Sequence, residues 1–320
     1  METTTGVWEY TNPQEWLNRV AKGNLPPLII TVAITGGAHG KEINPNHPET
    51  AEEQAQQTYD CYNAGASMVH IHARQPANLS LTSGNAADYR RVNALIREKC
   101  PEIIIMDTSG GGMGVGEEEA LASIEANPEV ASIDMGPLAV RFFFKKRPEV
   151  GRAEDFEGEG ATGTTFGRTE KFAKAMLEKG IKPEMEVWHS GQLWLVQNLI
   201  DKGLVKPPYL IQFVMGFQSG AYATPKEVLH LLESAPKPSV LFVMGVGHWQ
   251  TSMITTGILL GINVRTGMED NVLYGRGELC RDNAQLVERV VRIARELGRE
   301  IATPKQARQM LGISEKPTKY

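Results

Sequence analysis

The chain has 320 residues, with 33 Lys and Arg against 38 Asp and Glu and a formal net charge of −5. Its 41% hydrophobic residues are enough to bury a sizeable core, which excludes a disordered or fibrous chain. The acidic balance, without basic runs, argues against nucleic acid or an anionic membrane as the main partner. The three cysteines are scattered, no secretory signal is visible and no apolar run approaches about 20 residues, so we expect a cytoplasmic protein without a membrane span.

Residues 1–27 precede the first predicted strand and are expected to form an irregular N-terminal extension ending at Pro26 and Pro27. The aromatic residues Trp8, Tyr10 and Trp16 favour packing of this extension over a disordered tail.

Short apolar runs rich in β-branched residues then recur along the chain. Runs of this length and continuity are typical of strands that are buried on both faces of a parallel sheet. The predicted strands are Leu28–Thr35, Met68–Ala73, Ile103–Thr108, Val130–Met135, Glu184–Trp188, Leu210–Met215, Val240–Met244 and Asn263–Thr266.

Helical patterns with capping signals separate these runs. Thr50 and Glu53 have the spacing of a capping box, and Thr224-Pro225 begins another helix. Eight strands alternating with helices predict an α/β fold, a (β/α)8 TIM barrel that forms a single catalytic domain over residues 28–320. An open doubly wound sheet is the alternative, although no GxGxxG pattern follows the first strand.

The connection after the fourth strand, residues 141–167, is unusually long. It lies on the side of the barrel where loops carry function, so it is interpreted as a lid or an interface arm, with a solvated excursion as the alternative. The Phe142–Phe144 run within it is interpreted as core.

Active sites of such barrels lie at the C-terminal ends of the strands. His70 and His72 end the second strand and point to the same face, which is half of a divalent-metal site; a pair of hydrogen-bonded structural histidines is the alternative. Asp107–Gly112 is rich in hydroxyls and glycines, whose backbone N–H groups can bind a carboxylate or phosphate; a flexible turn is the alternative.

Charged residues gather after the last strand, where Arg265 precedes Glu269 and Asp270. One carboxylate can ligate a metal while the other acts as a general base, and arginine can fork onto a carboxylate; a surface salt-bridge cluster is the alternative. Glu186 lies in an apolar strand and needs a partner, as either a site residue or half of a buried ion pair.

Taken in order, several motifs resemble those of the β-keto acid cleavage enzyme family. The likeness runs from about Leu28 to Leu311, and the ordered set is more specific than any single motif. The motifs are Ile34-Thr35-Gly36 followed by Asn44-Pro45, Glu52-Glu53-Gln54-Ala55, His70-x-His72-x-Arg74, the Ser-Gly-Gly after the third strand, Glu184-x-Glu186-Val187, Gly267-x-Glu269-Asp270-Asn271 and Asn283-Ala284-Gln285-Leu286-Val287.

The resemblance implies a TIM barrel with a divalent metal, zinc being expected, and a homotetramer. It implies a reaction in which a β-keto acid and acetyl-CoA give acetoacetate and a new acyl-CoA by a retro-Claisen step. Matching residue by residue, the metal ligands are His70, His72 and Glu269, the general base is Asp270 with Arg265 in support, Glu186 is an inward acid of the site, and Thr108, Gly111 and Ser132 contact the substrate.

One position departs from the family's pattern. The member that acts on 3-keto-5-aminohexanoate binds the substrate ammonium with a glutamate soon after the first strand, and Ala38 occupies that position here. His39 and Glu42 of the same loop are the candidate replacements, and Glu42 is predicted to contact substrate.

Two other classes of protein stay open at this point. A CoA-independent metal-dependent aldolase or lyase acting through an enolate would use the same ligands. A non-enzymatic barrel with a structural metal is disfavoured by Asp270 beside Glu269, and because a structural zinc site usually has four protein ligands.

Overall fold

The computed structural model describes residues 8–9, 11–110 and 116–320. Its strands in chain order are β1 (Ile30–Ala33), β2 (Met68–Ile71), β3 (Arg74–Gln75), β4 (Asn78–Thr82), β5 (Ile104–Asp107), β6 (Val130–Asp134), β7 (Ala139–Phe144), β8 (Phe156–Ala161), β9 (Lys182–Val187), β10 (Tyr209–Met215), β11 (Ser239–Gly245), β12 (Asn263–Thr266), β13 (Leu273–Gly275) and β14 (Glu278–Leu279).

Eight of these strands close a barrel in the order β1-β12-β11-β10-β9-β6-β5-β2, and all neighbours are parallel. The predicted (β/α)8 barrel is therefore confirmed, and each of the eight predicted runs overlaps one barrel strand. The first strand lies between the last and the second, so that Thr31 pairs with Arg265 on one side and Ala33 with His70 on the other. This register brings the ends of chain-distant strands together.

Helices connect the strands around the outside of the barrel. Thr50 closes the predicted capping box, because its Oγ1 accepts from Glu53 N at 3.1 Å while the Glu53 side chain accepts from Thr50 N at 3.1 Å. The helices are α1 (Pro13–Lys22), α2 (Ala51–Ala64), α3 (Ala86–Lys99), α4 (Glu117–Ala120), α5 (Ala122–Glu125), α6 (Phe166–Lys179), α7 (Leu193–Asp201), α8 (Pro225–Ser234), α9 (Gln250–Leu260), α10 (Asn283–Glu296) and α11 (Pro304–Leu311).

The two largest hydrophobic clusters form two layers, and a small third cluster of Met268, Cys280 and Leu286 lies after β12. One cluster lies between the strands and the surrounding helices, and a second fills the barrel interior. The interior cluster includes Met68, Met106 and Phe242 together with Met310 and Leu311 of α11, so this last helix closes the N-terminal end of the barrel. The opposite end is left to polar residues. Within the described residues, no helix is long and apolar enough to cross a membrane.

The structure corrects two interpretations of the chain's irregular parts. Residues 1–26 are not wholly irregular, because Asn12 caps α1 and Pro13 occupies its first turn. Trp8 is buried, as expected for packing, whereas Tyr10 lies outside the described residues. Residues 141–167 contain most of an antiparallel hairpin, β7 paired with β8, and Phe142 and Phe144 line a cavity instead of the barrel core.

Candidate active site

The candidate metal ligands converge at the C-terminal end of the barrel. His70 and His72 come from the end of β2, and Glu269 follows β12. One ligand atom from each residue lies within 4.8 Å of the others, with Glu269 Oε1 3.6 Å from His70 Nε2 and 3.4 Å from His72 Nε2. Such a trio of two imidazoles and one carboxylate leaves coordination positions open, as catalytic metal sites do.

Arg265 organises the carboxylates beside this trio. Its side chain is 3% exposed, so the surface salt-bridge alternative does not apply. Its Nε and Nη2 fork onto Asp270 at 3.1 and 2.9 Å, Nη1 donates to Glu186 at 3.0 Å, and Nη2 also donates to Glu269 Oε1 at 2.6 Å. Glu186 is thus half of a buried ion pair and also lines the cavity.

Burial and charge set the protonation states of these groups. Burial raises the pKa of Asp270 to about 6, despite the Arg265 cation beside it. Burial alone would also raise the pKa of Glu269, but Arg265 and the two histidines outweigh it and hold that pKa well below its usual value. Burial lowers the pKa of His70 well below its ordinary value, which favours the neutral imidazole that binds metals. Glu269 therefore stays ionised, whereas Asp270 has a pKa suited to accepting a proton near neutral pH.

Two glycines and one asparagine hold the loop that carries Glu269 and Asp270. A Cβ on Gly36 would lie 2.5 Å from Glu269 Cγ, so the close approach of this carboxylate requires a glycine after β1. Gly267, at φ +138°, leaves β12, where a Cβ would lie 2.0 Å from Ala33 O. The Asn283 side chain accepts from Met268 N at 2.7 Å and donates to Ile34 O at 3.1 Å, which ties the loop to the end of β1.

A cavity of about 500 Å³ opens above these residues. Its inner end holds His70, His72, Glu269, Glu186 and Thr108. Its outer wall is apolar and is formed by the β7–β8 hairpin together with Trp188 and Phe217. The cavity has the size of a small-molecule site.

Of the other residues predicted to contact substrate, only some line the cavity in the structure. Thr108 lines the cavity, and its Oγ1 accepts from Gly110 N at 3.1 Å. Ser132 is buried on β6 and is not among the described residues that line the cavity. The Glu42 carboxylate is held by Arg147 at 3.3 Å and Arg152 at 3.2 Å, and Glu42 is not among the described residues that line the cavity. Gly111 lies outside the described residues.

Several cavity residues carry no role in the sequence analysis. Asp134 ends β6 beside Glu186, with its carboxylate over Gly110, and its position at a strand end was the available signal. Trp188 ends the run that contains Glu186 and faces the cavity. Phe217 has no such signal, because it lies in a loop that no strand or helix pattern places.

A family model described as beta-keto acid cleavage enzyme matches residues 27–313 of this chain. The chain belongs to the β-keto acid cleavage enzyme family. It is an enzyme of that family, and the match spans the whole barrel. The family predicted from the ordered motifs is therefore confirmed.

Relatives within this family illustrate its range. The chain is 38% identical over 288 residues to a 3-keto-5-aminohexanoate cleavage enzyme of Fusobacterium nucleatum subsp. nucleatum, covering 90% of this chain and 98% of that protein. It is 32% identical over 295 residues to a 3-oxoadipate:acetyl-CoA acetyltransferase of Cupriavidus necator, covering 90% and 95%. The apo structure of ObcA matches with a TM-score of 0.67 at 18% identity over 84% of this chain and 66% of that chain, and supports the fold alone.

Proposed function

We propose that this protein is a metal-dependent β-keto acid cleavage enzyme that converts a β-keto acid and acetyl-CoA into acetoacetate and a new acyl-CoA. The observation that carries the proposal is the placement of Asp270 and its Arg265 fork next to the His70, His72 and Glu269 trio, at the inner end of one cavity. Membership of the family supports the same reaction.

The trio fits a divalent metal by its chemistry. Arg265 already occupies Glu269 Oε1, while Oε2 is buried without a hydrogen-bond partner among the described residues. A buried carboxylate oxygen without a partner is costly unless a cation satisfies it. A metal held there would act as a Lewis acid, polarising the keto group and stabilising negative charge on its oxygen. Zinc is the proposed ion because two imidazoles and one carboxylate suit it.

Asp270 is the proposed general base. It takes a proton from C2 of the β-keto acid, the carbon between the keto and carboxylate carbons. Arg265 fixes the orientation of this carboxylate through two hydrogen bonds and offsets the negative charge that develops on the substrate. Glu186 holds the remaining arm of Arg265, so its role is to position that guanidinium.

The remaining steps need no reagent other than the β-keto acid and acetyl-CoA. C2 of the substrate attacks the thioester carbon of acetyl-CoA, and the CoA sulfur is transferred to the former keto carbon. The bond between C2 and that carbon then breaks, which releases the new acyl-CoA. Asp270 returns its proton to C2 and acetoacetate is formed. Thr108 and the backbone N–H groups that follow it are proposed to hold the substrate carboxylate, with Ser132, Gly111 and Glu42 as further predicted contacts.

The first test measures bound metal in the purified protein and then acetoacetate release from acetyl-CoA with a panel of β-keto acids. We expect one divalent metal per chain and no turnover without acetyl-CoA. Turnover that is independent of acetyl-CoA would favour the aldolase or lyase alternative.

Two variants separate the roles within the site. Asp270→Asn is expected to abolish turnover and to keep its metal, whereas His70→Ala is expected to lose the metal. An active, metal-loaded Asp270→Asn protein would contradict the assignment of the base. A His70→Ala protein with one bound zinc per chain would contradict the ligand set. The homotetramer implied by the resemblance stays a prediction that sedimentation can test.

A further inference from the structure

The outer wall of the cavity is built from apolar side chains on a fixed frame. On β7, Val140, Phe142 and Phe144 alternate with residues that face away, as side chains of a strand do. The rings of Phe144 and Phe142 lie 5.9 Å apart, those of Phe142 and Phe217 lie 6.0 Å apart, and those of Phe217 and Trp188 lie 4.9 Å apart. The four rings form one continuous aromatic surface.

Hydrogen bonds anchor this surface to the barrel. Arg141 N donates to the Gln218 side chain at 2.7 Å, and the same side chain donates back to Arg141 O at 2.7 Å. Ser219 Oγ bonds both the N–H and the carbonyl group of Ala139, at 2.9 and 3.0 Å. The edge of the hairpin is therefore fixed to the loop that follows β10 and carries Phe217.

Apart from two histidines, the ionisable side chains that line the cavity are all acidic. Among the described residues that line it, none is Lys or Arg, while Asp134, Glu159, Glu186 and Glu269 contribute carboxyl groups. A second carboxylate on the substrate would find no unpaired cation among these residues. The Arg152 guanidinium lies 5.7 Å from the centre of the Phe144 ring and already pairs with Glu42 at 3.2 Å. The carboxylate would therefore lose its hydration without gaining a partner. Arg141 already pairs with Glu159 at 2.8 Å, which leaves that carboxylate occupied.

The carboxyl group of Asp134 also lines the cavity, where an ionised carboxylate would attract a cationic substrate. Its Oδ2 lies 3.1 Å from the position of a Cβ on Gly110, which places it at the inner end of the cavity, near Thr108 and close to the Trp188 side chain at one end of the aromatic surface. Burial raises the pKa of Asp134, which favours a neutral acid.

We infer that the aromatic surface binds the variable end of the β-keto acid, and that this end is uncharged and apolar. The inference rests on the proposed function and adds its substrate class. Apolar area is buried against Phe142, Phe144, Phe217 and Trp188. A second carboxylate would be desolvated there without a partner. The carboxylates of Glu159, Glu186 and Glu269 are already paired with arginines, so none of the three is free to pair with an ammonium group.

Three probes with six-carbon chains test this inference: 3-oxohexanoate, 5-amino-3-oxohexanoate and 3-oxoadipate, whose ends are neutral, cationic and anionic. With the zinc-loaded enzyme and acetyl-CoA, we expect 3-oxohexanoate to have the highest kcat/KM. This kcat/KM should exceed the value for 5-amino-3-oxohexanoate by at least about 10-fold and the value for 3-oxoadipate by about 100-fold. An equal or higher kcat/KM for either charged probe would overturn the inference while leaving the proposed reaction intact.

Calorimetric binding of the same three acids without acetyl-CoA separates the two proposals. If 3-oxohexanoate binds best but no probe is turned over, the proposed reaction fails and the substrate class stands. If a charged probe binds as tightly or better, the inference fails whatever the turnover.

Variants of β7 locate the effect. Phe142→Ala is expected to lower kcat/KM for 3-oxohexanoate by about 10-fold. Phe143→Ala is the matched control, because Phe143 is 53% exposed on the opposite face of the same strand, and it should change kcat/KM less than about twofold. Val140→Lys introduces a cation into the wall and should shift the ratio of kcat/KM values toward 3-oxoadipate by at least about 10-fold. Equal losses in the two phenylalanine variants, or an unchanged ratio in the lysine variant, would refute the assignment of this wall.

Discussion

Arg265→Lys is the most informative single change, because it keeps the positive charge and removes the planar fork. The guanidinium makes four contacts of 2.6–3.1 Å to three carboxylates. A lysine ammonium is a point charge that cannot reproduce the fork, so at least two of these contacts should be lost. At about 1.5–3 kcal/mol for each hydrogen bond to a charged group, the loss of two contacts should lower the free energy of unfolding by about 3–6 kcal/mol.

The same change should affect catalysis more than it affects stability. Without the fork, Asp270 has no fixed orientation, and a misplaced base is expected to lower kcat/KM by about 100-fold or more. Metal content should be retained, because the ligand atoms themselves are unchanged. Urea unfolding, kcat/KM for the best β-keto acid and metal content are the three measurements.

Arg308→Lys provides the matched control. Arg308 is equally buried and pairs with Glu129 at 2.7 Å, but it lies at the other end of the barrel on α11. It should lower the free energy of unfolding by a similar amount and leave kcat/KM within about threefold. If both variants lose activity equally, or if Arg265→Lys stays within threefold of the parent, the proposed role of Arg265 is refuted.

Three further predictions concern stability and metal binding. Burial raises the pKa of Glu184 from 4.5 to about 7, so the contribution of Glu184 to stability is fully present below pH 4.5 and is lost as pH rises through 7. In urea unfolding, the stability of Glu184→Gln relative to the parent should therefore increase by up to about 3 kcal/mol between pH 4.5 and 8. A stability difference that stays constant over this range would contradict the reasoning. Gly267→Ala places a Cβ 2.0 Å from Ala33 O and should destabilise the protein by at least about 3 kcal/mol. Gly277→Ala is the control, because Gly277 has φ +76° but lies in open space, and it should destabilise the protein by only about 1 kcal/mol. Equal losses of stability would argue against the steric explanation. Zinc at about 1,000 times its Kd should stabilise the metal-free parent by about 4 kcal/mol in thermal unfolding and should not stabilise His72→Ala, and equal stabilisation of both would place the metal elsewhere.

The barrel strands are predictable from the sequence because each is buried on both faces. Most of these strands have largely continuous apolar sequences, which can be recognised without knowledge of the neighbouring strands, whereas β9 and β12 also carry charged side chains. The β7–β8 hairpin is different. Its second strand, Phe156–Ala161, alternates Glu and Gly and has no β-branched residue, so no strand pattern marks it. Its pairing with β7 and the contacts of β7 with Gln218 and Ser219 define it instead.

Two helices show different limits of predicting secondary structure from hydrophobic periodicity and capping signals. Helix α9, Gln250–Leu260, has Thr and Ser interspersed with apolar residues around its circumference and contains Gly257 against Val243, so it lacks the amphipathic period that predicts a helix. Helix α1 carries a start signal in Asn12-Pro13 of the same kind as Thr224-Pro225, but an apolar stripe of only a few residues follows it. Periodicity therefore does not reveal α9, whereas α1 could have been predicted from its cap together with its short amphipathic stripe.

The two ends of the cavity differ in how they are encoded, and this difference explains what the sequence can predict about function. The reacting end is built from residues at the ends of β2, β9 and β12, and the closed parallel register brings His70, Glu186 and Glu269 together once the barrel is known. Ordered motifs at strand ends are therefore sufficient to predict the family. The outer wall comes from a hairpin and from a loop after β10, whose positions depend on edge hydrogen bonds between side chains and backbone. Such contacts leave no periodic trace in the sequence. Substitutions in the wall would thus be expected to change the accepted β-keto acid while the strand-end chemistry is kept.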